Sequence, residues 1–462
     1  MTLPLEVDIL GQHPMLRFMY TNLSYIFCLD GSPNQSATEP LVQTLTEGLQ
    51  SLAQHFPWIA GQVSSTKDAQ GSFQVRKIIP FEETPPFQTA CRPEFSIQRF
   101  KQANWSMRML DPDVFAPHLI PLGQAPSPSD PAPVFLLRMT FITGGVVLTF
   151  AANHSAMDMT GQTTMIRLLS KACHGFGFTE DELRLGNREM DVDLGLFEAK
   201  DDDELKAEIA CRLNRQMDDV TADQARSDPS FKDVSPLQPA RSTWGYFQAT
   251  PSALTSLKRK ATESVPAPRF VSTDDALTAL IWQTITRARF PHSETSRRSL
   301  LARAVDVRNA MGIAEDYPGM MQNMAFNNMN VGEILDHSLG ALATQLRERL
   351  GTSELGDAMR VVMTLMTRRP HESPILKYLK PSVDVLITSW AKMKCYGDSF
   401  NLGLGRPENV LRPCLPPIGE GWVNLMPRSE ERGILFGICL KESEMNMLRA
   451  DEEFCKFVQY ID

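Results

Sequence analysis

The sequence predicts an α/β protein built as two comparable domains around a shared cleft. Its 462 residues are about three times the common domain length. Strand-like and helix-like segments mix in both halves. Between those halves, from about residue 191 to residue 239, the composition turns polar and acidic. With 42% hydrophobic and 22% charged residues, the chain has the balance of a folded globular protein. We expect an N-terminal domain over 1–195, a crossover over 196–240 and a C-terminal domain over 241–462.

In the first half, Leu41, Leu45, Leu49, Leu52 and Phe56 share one helical face. Pro40 suits a first helical position, so a helix should run from there to about Pro57. Seven prolines between Pro112 and Pro133 predict an irregular surface excursion. Val134 to Ile142 and Val146 to Ala152 are rich in β-branched and aromatic residues, and Thr143-Gly144-Gly145 is tight-turn chemistry. The pair reads as a buried hairpin. Although Val134 to Ala152 is about long enough to span a bilayer, Arg138 and the two glycines interrupt it. A helix over Thr163 to Lys171 follows.

The acid run Asp201 to Glu204 reads as a solvated linker, and Leu205 to Met217 can form one helix. The second half restarts with a strand over Thr243 to Ala249 and a helix over Leu254 to Ala261. Ser272 or Thr273 can cap the next helix, where Asp274 and Asp275 suit the dipole and Leu277, Leu280 and Ile281 form the apolar stripe. A strand over Val383 to Ser389 leads to the glycine-bearing loop Asn401 to Gly405. From about Glu444 a final helix should turn Met445, Leu448, Cys455 and Val458 inward. No fixed-period repeat is visible, which disfavours solenoids and propellers.

Charge and cysteine usage narrow the function classes. Lysine and arginine total 46 against 55 acids, for a net charge of -9, with no basic cluster to meet phosphates. Nucleic acid is not an expected partner, and neither is a membrane. The eight cysteines form no Cys-x-x-Cys pair, arguing against a metal site or a disulfide framework. They read as reduced thiols of a cytoplasmic protein. Glu6 and Asp8 stand where a signal peptide would carry a basic start and an apolar run.

The informative segment is Asn153-His154-Ser155-Ala156-Met157-Asp158-Met159-Thr160-Gly161. It lies between the hairpin's second strand and a helix, where a rigid scaffold presents reactive groups. An imidazole titrating near pH ~6.5 can take a proton from a hydroxyl there. Taken alone, a histidine at a strand end is more often just a hydrogen-bonding residue. Asp158 can fix the loop through an ion pair or contact His154 directly, and spacing leaves both open. A serine hydrolase lacks support because no Gly-x-Ser-x-Gly occurs, and Gly403-Leu404-Gly405 lacks the third glycine of a dinucleotide fingerprint.

Further segments fall in a consistent order. Phe56-Pro57-Trp58-Ile59-Ala60-Gly61 closes the first helix, Val305-Asp306-Val307-Arg308 precedes Tyr317-Pro318-Gly319, and Ser389-Trp390 precedes Asn401-Leu402-Gly403-Leu404-Gly405-Arg406-Pro407. Together with the histidine segment they resemble the BAHD acyltransferases, whose signatures are His-x-x-x-Asp-Gly and Asp-Phe-Gly-Trp-Gly. Met159 replaces the glycine of the first, while Asn401 and Leu404 replace the aspartate and tryptophan of the second. That form resembles the fungal branch containing the trichothecene acetyltransferases. In plant members the second signature is chiefly structural, although its tryptophan carries an indole N–H able to help bind an oxyanion.

The resemblance implies two chloramphenicol-acetyltransferase-like domains with mixed sheets and a channel between them, His154 at its centre. Acyl-CoA, by analogy acetyl-CoA, is the implied co-substrate, with no bound cofactor, and a fungal secondary-metabolite alcohol the acceptor of a monomeric enzyme. His154 would be the general base, and Asp158 would point away from the reacting atoms to pair with an arginine, for which Arg308 is the candidate. Coenzyme A would pass the helix start at Ser272 and Thr273, with Arg303 as the nearby cation. Asn401, Gly403 and Gly405 would form the second signature loop. Met320, Met321 and Met324 could line the acceptor pocket, though methionines more often fill cores. A condensation domain acting on carrier-protein thioesters shares the fold but shows two adjacent histidines, whereas residue 153 is asparagine. The non-enzyme alternative is an acyltransferase-like protein that binds a hydrophobic ligand without turnover.

Overall fold

The structure is a computed structural model describing residues 3–13, 16, 19–29, 35–67, 74–118, 130–190, 192, 194–212, 242–290, 295–369, 379–416 and 419–462. Its described strands form two large mixed sheets and one small sheet. The first large sheet has the order Asn409–Leu411, Tyr20–Cys28, Gly145–Asn153, Phe135–Thr143, Phe87–Ser96. The expected hairpin is at its centre. Ile142 pairs with Gly145, so Thr143 and Gly144 make the turn, and Gly144 supplies the positive φ of +74° that a side chain would resist. Every residue of Gly145–Asn153 is buried, which explains its continuous apolar run.

Helix Gln35–His55 covers this sheet, with Leu41, Leu45, Leu49 and Leu52 buried as the stripe predicts. It begins five residues before the expected start. Pro40 lies inside it, because the buried stripe holds the helix through a position lacking an N–H donor. The proline-rich excursion opens with structure as well: Asp111 caps a short helix over Pro112–Phe115, and Phe115 is buried. Residues 119–129 of that excursion lie outside the described residues.

The second large sheet has the order Gln322–Asn330, Arg298–Asp306, Val385–Ser389, Trp422–Leu425, Ile434–Lys441, Ser242–Ala249, Gln459–Tyr460. Helix Thr273–Arg289 packs Leu277, Ile281, Trp282 and Ile285 against Leu301, Val385, Val423 and Phe436 of this sheet. The final helix differs from the expected one. It stops at Arg449, Asp451 caps a new turn over Glu452–Cys455, and Phe454 takes the inward position while Cys455 is exposed. The acid run is no bare linker either. Asp202–Glu204 form the first turn of helix Asp202–Arg212, at its positive dipole end, and Asp202 pairs with Arg369. Residues 213–241 of the crossover lie outside the described residues. No helix among the described residues is long and apolar enough to cross a membrane.

The halves are interleaved. Strand Asn409–Leu411 comes from the second half yet pairs with Tyr20–Cys28, bringing Val410 and Leu411 into the first core. At the seam, a Cβ on Gly161 would meet the Pro318 carbonyl oxygen at 2.0 Å, and within the first half one on Gly11 would meet the Ser155 carbonyl oxygen at 2.1 Å. Both obstacles are backbone, so neither can swing aside. Gly161→Ala is therefore expected to cost about 1–3 kcal/mol, seen as a lower melting temperature. Gly177→Ala, with nothing within 4 Å of the added atom, is the control and should change stability by less than about 0.5 kcal/mol. Equal melting of the two variants would show that the seam is not tightly packed.

Candidate active site

His154 follows the last residue of the buried strand Gly145–Asn153, and its backbone N–H donates to the Met19 carbonyl at 2.8 Å. The chain then turns sharply, since Ala156 and Met157 both return N–H bonds to the Asn153 carbonyl. His154 Nδ1 lies 3.2 Å from the Met157 carbonyl oxygen. A carbonyl only accepts, so Nδ1 carries the hydrogen and Nε2 keeps its lone pair. The residue is 8% exposed. Burial lowers its pKa below the ordinary histidine value, against the opposing pull of the Met157 carbonyl and Asp158, with the Arg412 charge adding to the lowering. The imidazole is thus neutral at pH 7.

Asp158 caps helix Met159–Cys173 and starts it four residues earlier than the sequence reading. Its Oδ1 accepts from Gly161 N at 2.8 Å and from Arg308 Nη2 at 3.0 Å, while Oδ2 accepts from Met321 N at 2.7 Å. Of the two contacts that spacing left open, the geometry has the ion pair. Arg308 also donates to the carbonyls of Tyr317 at 2.9 Å and Gly319 at 2.7 Å and to Asp306 Oδ1 at 3.0 Å. Burial opposes its charge, yet Asp158 and Asp306 hold its pKa above the usual arginine value.

A second clamp escaped the sequence reading. Arg188 donates to the Ala156 carbonyl at 2.7 Å, inside the histidine turn, and to Asp8 Oδ2 at 2.8 Å. Asp8 in turn accepts from Tyr317 OH at 2.7 Å and Met320 N at 2.8 Å. No periodicity or motif marks these partners. Met320 and Met321 sit with Leu10, Tyr317 and Met359 in a buried cluster, so they fill a core, and Met324 is half-buried.

The residues assigned to coenzyme A have partners of their own in the structure. Arg303 is buried and donates to Asp274 Oδ2 at 3.0 Å and Asp275 Oδ1 at 3.2 Å, which removes it as a free phosphate ligand. Ser272 caps helix Thr273–Arg289 in a reciprocal box with Asp275, its hydroxyl accepting from Asp275 N at 3.1 Å and donating to Asp275 Oδ2 at 2.7 Å. The carboxylate already occupies the helix start. Thr273 faces a cavity of about 420 Å³ that Lys258, Arg259 and Arg428 also line. None of these three cations has an ion pair among the described residues. A larger cleft of about 610 Å³ runs past Asp158, Thr163, Asp306, Ser389 and Trp390, between the first half's helix and the second half's sheet.

Comparison with known proteins decides the family. A model of the trichothecene 3-O-acetyltransferase-like N-terminal domain matches residues 19–173. Trichothecene 3-O-acetyltransferase of Fusarium sporotrichioides is 38% identical across 99% of this chain and 97% of its own. An O-acetyltransferase of a Cryptosporiopsis species is 36% identical over 99% and 97%. Among solved structures, Fusarium graminearum TRI101 complexed with coenzyme A and deoxynivalenol superposes with a TM-score of 0.87 at 34% identity, over all of both chains. The chain belongs to the fungal trichothecene 3-O-acetyltransferase-like branch of the BAHD acyltransferases. As a member it is a CoA-dependent O-acyltransferase with the chloramphenicol-acetyltransferase-like fold.

The family's second signature loop is not beside His154. Asn401 Nδ2 donates to the Cys173 carbonyl at 3.1 Å and Phe400 N to Ser170 Oγ at 3.1 Å, both at the far end of helix Met159–Cys173. At 1.5 Å rise per residue that end is about 20 Å from Asp158. Phe400 and Asn401 both have φ of +53°, and Gly403 and Gly405 have +70° and +76°. Asparagine tolerates the left-handed region better than most residues.

Removing one member of a buried ion pair leaves an unpaired charge. Asp158→Asn or Arg308→Met should each cost about 3–5 kcal/mol, read from urea unfolding, and the double variant clearly less than the sum. Additive losses would mean that the two groups do not interact.

Proposed function

We propose that this protein transfers an acetyl group from acetyl-CoA to a hydroxyl of a fungal-type secondary metabolite, with His154 as the general base. The observation that carries the reading is the free Nε2 lone pair of a buried histidine whose Nδ1–H is tied to the Met157 carbonyl. Nε2 takes the hydroxyl proton while the oxygen adds to the thioester carbonyl. As the tetrahedral intermediate collapses, the C–S bond breaks and the imidazolium returns the proton to the thiolate. Asp158 and Arg308 hold the turn and do not meet the reacting atoms. Lys258, Arg259 and Arg428, with Thr273, take the coenzyme's phosphates in place of Arg303.

The same reading treats the chain as a cytoplasmic monomer, and its eight free cysteines suit a reducing compartment. It divides at 1–195, 196–240 and 241–462, with strand Asn409–Leu411 lent back to the first domain's sheet.

His154→Ala should lower kcat by about 10²- to 10⁴-fold while coenzyme A still binds. Full turnover by that variant would exclude the base, and no turnover by the wild-type protein over a panel of fungal alcohols would favour a binding protein. The pH profile gives a second check. The working form is the neutral imidazole, and burial pulls its pKa below ~6.5, so activity should hold as pH falls toward that value and be lost only beneath it. An acid limb of kcat/KM centred above pH ~7 contradicts the assignment. For the donor site, Arg428→Glu should raise the KM for acetyl-CoA at least about tenfold more than the KM for the alcohol.

A further inference from the structure

Arg412 follows strand Asn409–Leu411, the segment of the second half that pairs with Tyr20–Cys28. Its guanidinium carbon lies 5.1 Å from the centroid of the Trp390 ring, and the residue is 9% exposed. The Nε atom is buried without a hydrogen-bond partner. The other buried arginines among the described residues are committed elsewhere. Arg188 is held by Asp8, Arg303 by Asp274 and Asp275, and Arg308 by Asp158 and Asp306, while Arg76 donates to the Gly11 and His13 carbonyls. Among the described residues no carboxylate pairs with Arg412.

A desolvated cation without a counter-charge is costly to keep in a folded protein. Trp390 offsets part of that cost through its ring face. The uncharged neighbours do not complete it: Tyr246 OH and Cys414 Sγ lie 3.2 Å apart, and burial raises the pKa of the tyrosine, so it stays neutral. Burial brings the guanidinium down to about 10, which leaves it charged at neutral pH. Its field reaches His154, and Trp390 lines the cleft that passes Asp158. An unpaired cation is therefore held on the face of a ring that lines the cleft.

The transfer reaction generates the missing negative charge. When the hydroxyl oxygen bonds to the thioester carbon, the carbonyl π pair moves onto oxygen, and His154 Nε2 holds the abstracted proton. When the oxyanion re-forms the carbonyl, the C–S bond breaks and the proton passes to sulfur. We propose that Arg412 is a catalytic residue that receives this oxyanion through its guanidinium edge. The proposal rests on the acetyltransferase reading.

The test uses the full-length protein with coenzyme A and an alcohol the wild-type protein turns over. Loss of one oxyanion donor typically lowers kcat by about 10²- to 10³-fold. Arg412→Gln should show that loss, with KM for acetyl-CoA and for the alcohol each changed less than about threefold. Calorimetry separates this from any dependence on the acceptor. A coenzyme A derivative with a methylphosphonyl group on sulfur mimics the anionic tetrahedral carbon, and Arg412→Gln should bind it at least about thirtyfold more weakly while binding coenzyme A equally well. If Arg412→Gln does not fold, Arg412→Lys carries the test, because it keeps the charge and loses the planar fork: a fall of about tenfold in both readouts is expected. Unchanged kcat and analogue affinity would overturn the proposal. So would an alcohol KM raised at least about tenfold at constant kcat, since the arginine would then anchor the acceptor. A wild-type protein that binds no coenzyme A would instead overturn the acetyltransferase reading itself.

Discussion

Asp158 is 2% exposed and accepts three hydrogen bonds, from Gly161 N, Arg308 Nη2 and Met321 N. A buried carboxylate survives only when its lone pairs are met this fully. Two of the three donors belong to the second half of the chain. The turn that carries His154 is thus completed only when the halves are docked, and the same docking presses Gly161 onto the Pro318 carbonyl. Arg308 extends the constraint by holding the Tyr317 and Gly319 carbonyls, so the turn facing Asp158 cannot drift. The Asp8–Arg188 pair repeats the arrangement on the other flank, with one end on the Ala156 carbonyl and the other on Tyr317 and Met320. The turn that carries His154 gains its orientation from two ion pairs that make no hydrogen bond to the imidazole.

What could be read from the sequence follows the range of the interactions. The hairpin, the helix stripe at Leu41 to Leu52 and the histidine at a strand end are local patterns, and each has its structural counterpart. The Asp158–Arg308 pair spans 150 residues and was accessible only because family signatures carry both members. Asp8 and Arg188 are 180 residues apart and belong to no signature, so nothing in the chain announced them. The partners of the residues assigned to the donor site were hidden for a related reason. Asp274 and Asp275 were legible as acids suited to a helix start, but the arginine they recruit comes from strand Arg298–Asp306 and is paired only in three dimensions. The final helix failed locally: Asp451 reads as one more surface acid until its cap on Phe454 N is seen.

The departures in the second signature make sense once helix Met159–Cys173 is viewed as a strut fastened at both ends. Arg308 and Met321 grip its start through Asp158, and Phe400 and Asn401 grip its finish through Ser170 and Cys173. The far grip uses a backbone N–H, an asparagine side-chain amide and a run of positive φ angles. It uses no indole. Phe400, the residue before the signature, adds stacking on Phe150 and an edge contact with Tyr25, which bind the loop to the first core. Leu404 in the tryptophan position therefore removes a ring from a structural joint about 20 Å from Asp158. The electrophilic task that an indole N–H could serve is the one proposed for Arg412, whose unpaired guanidinium lies on the face of Trp390.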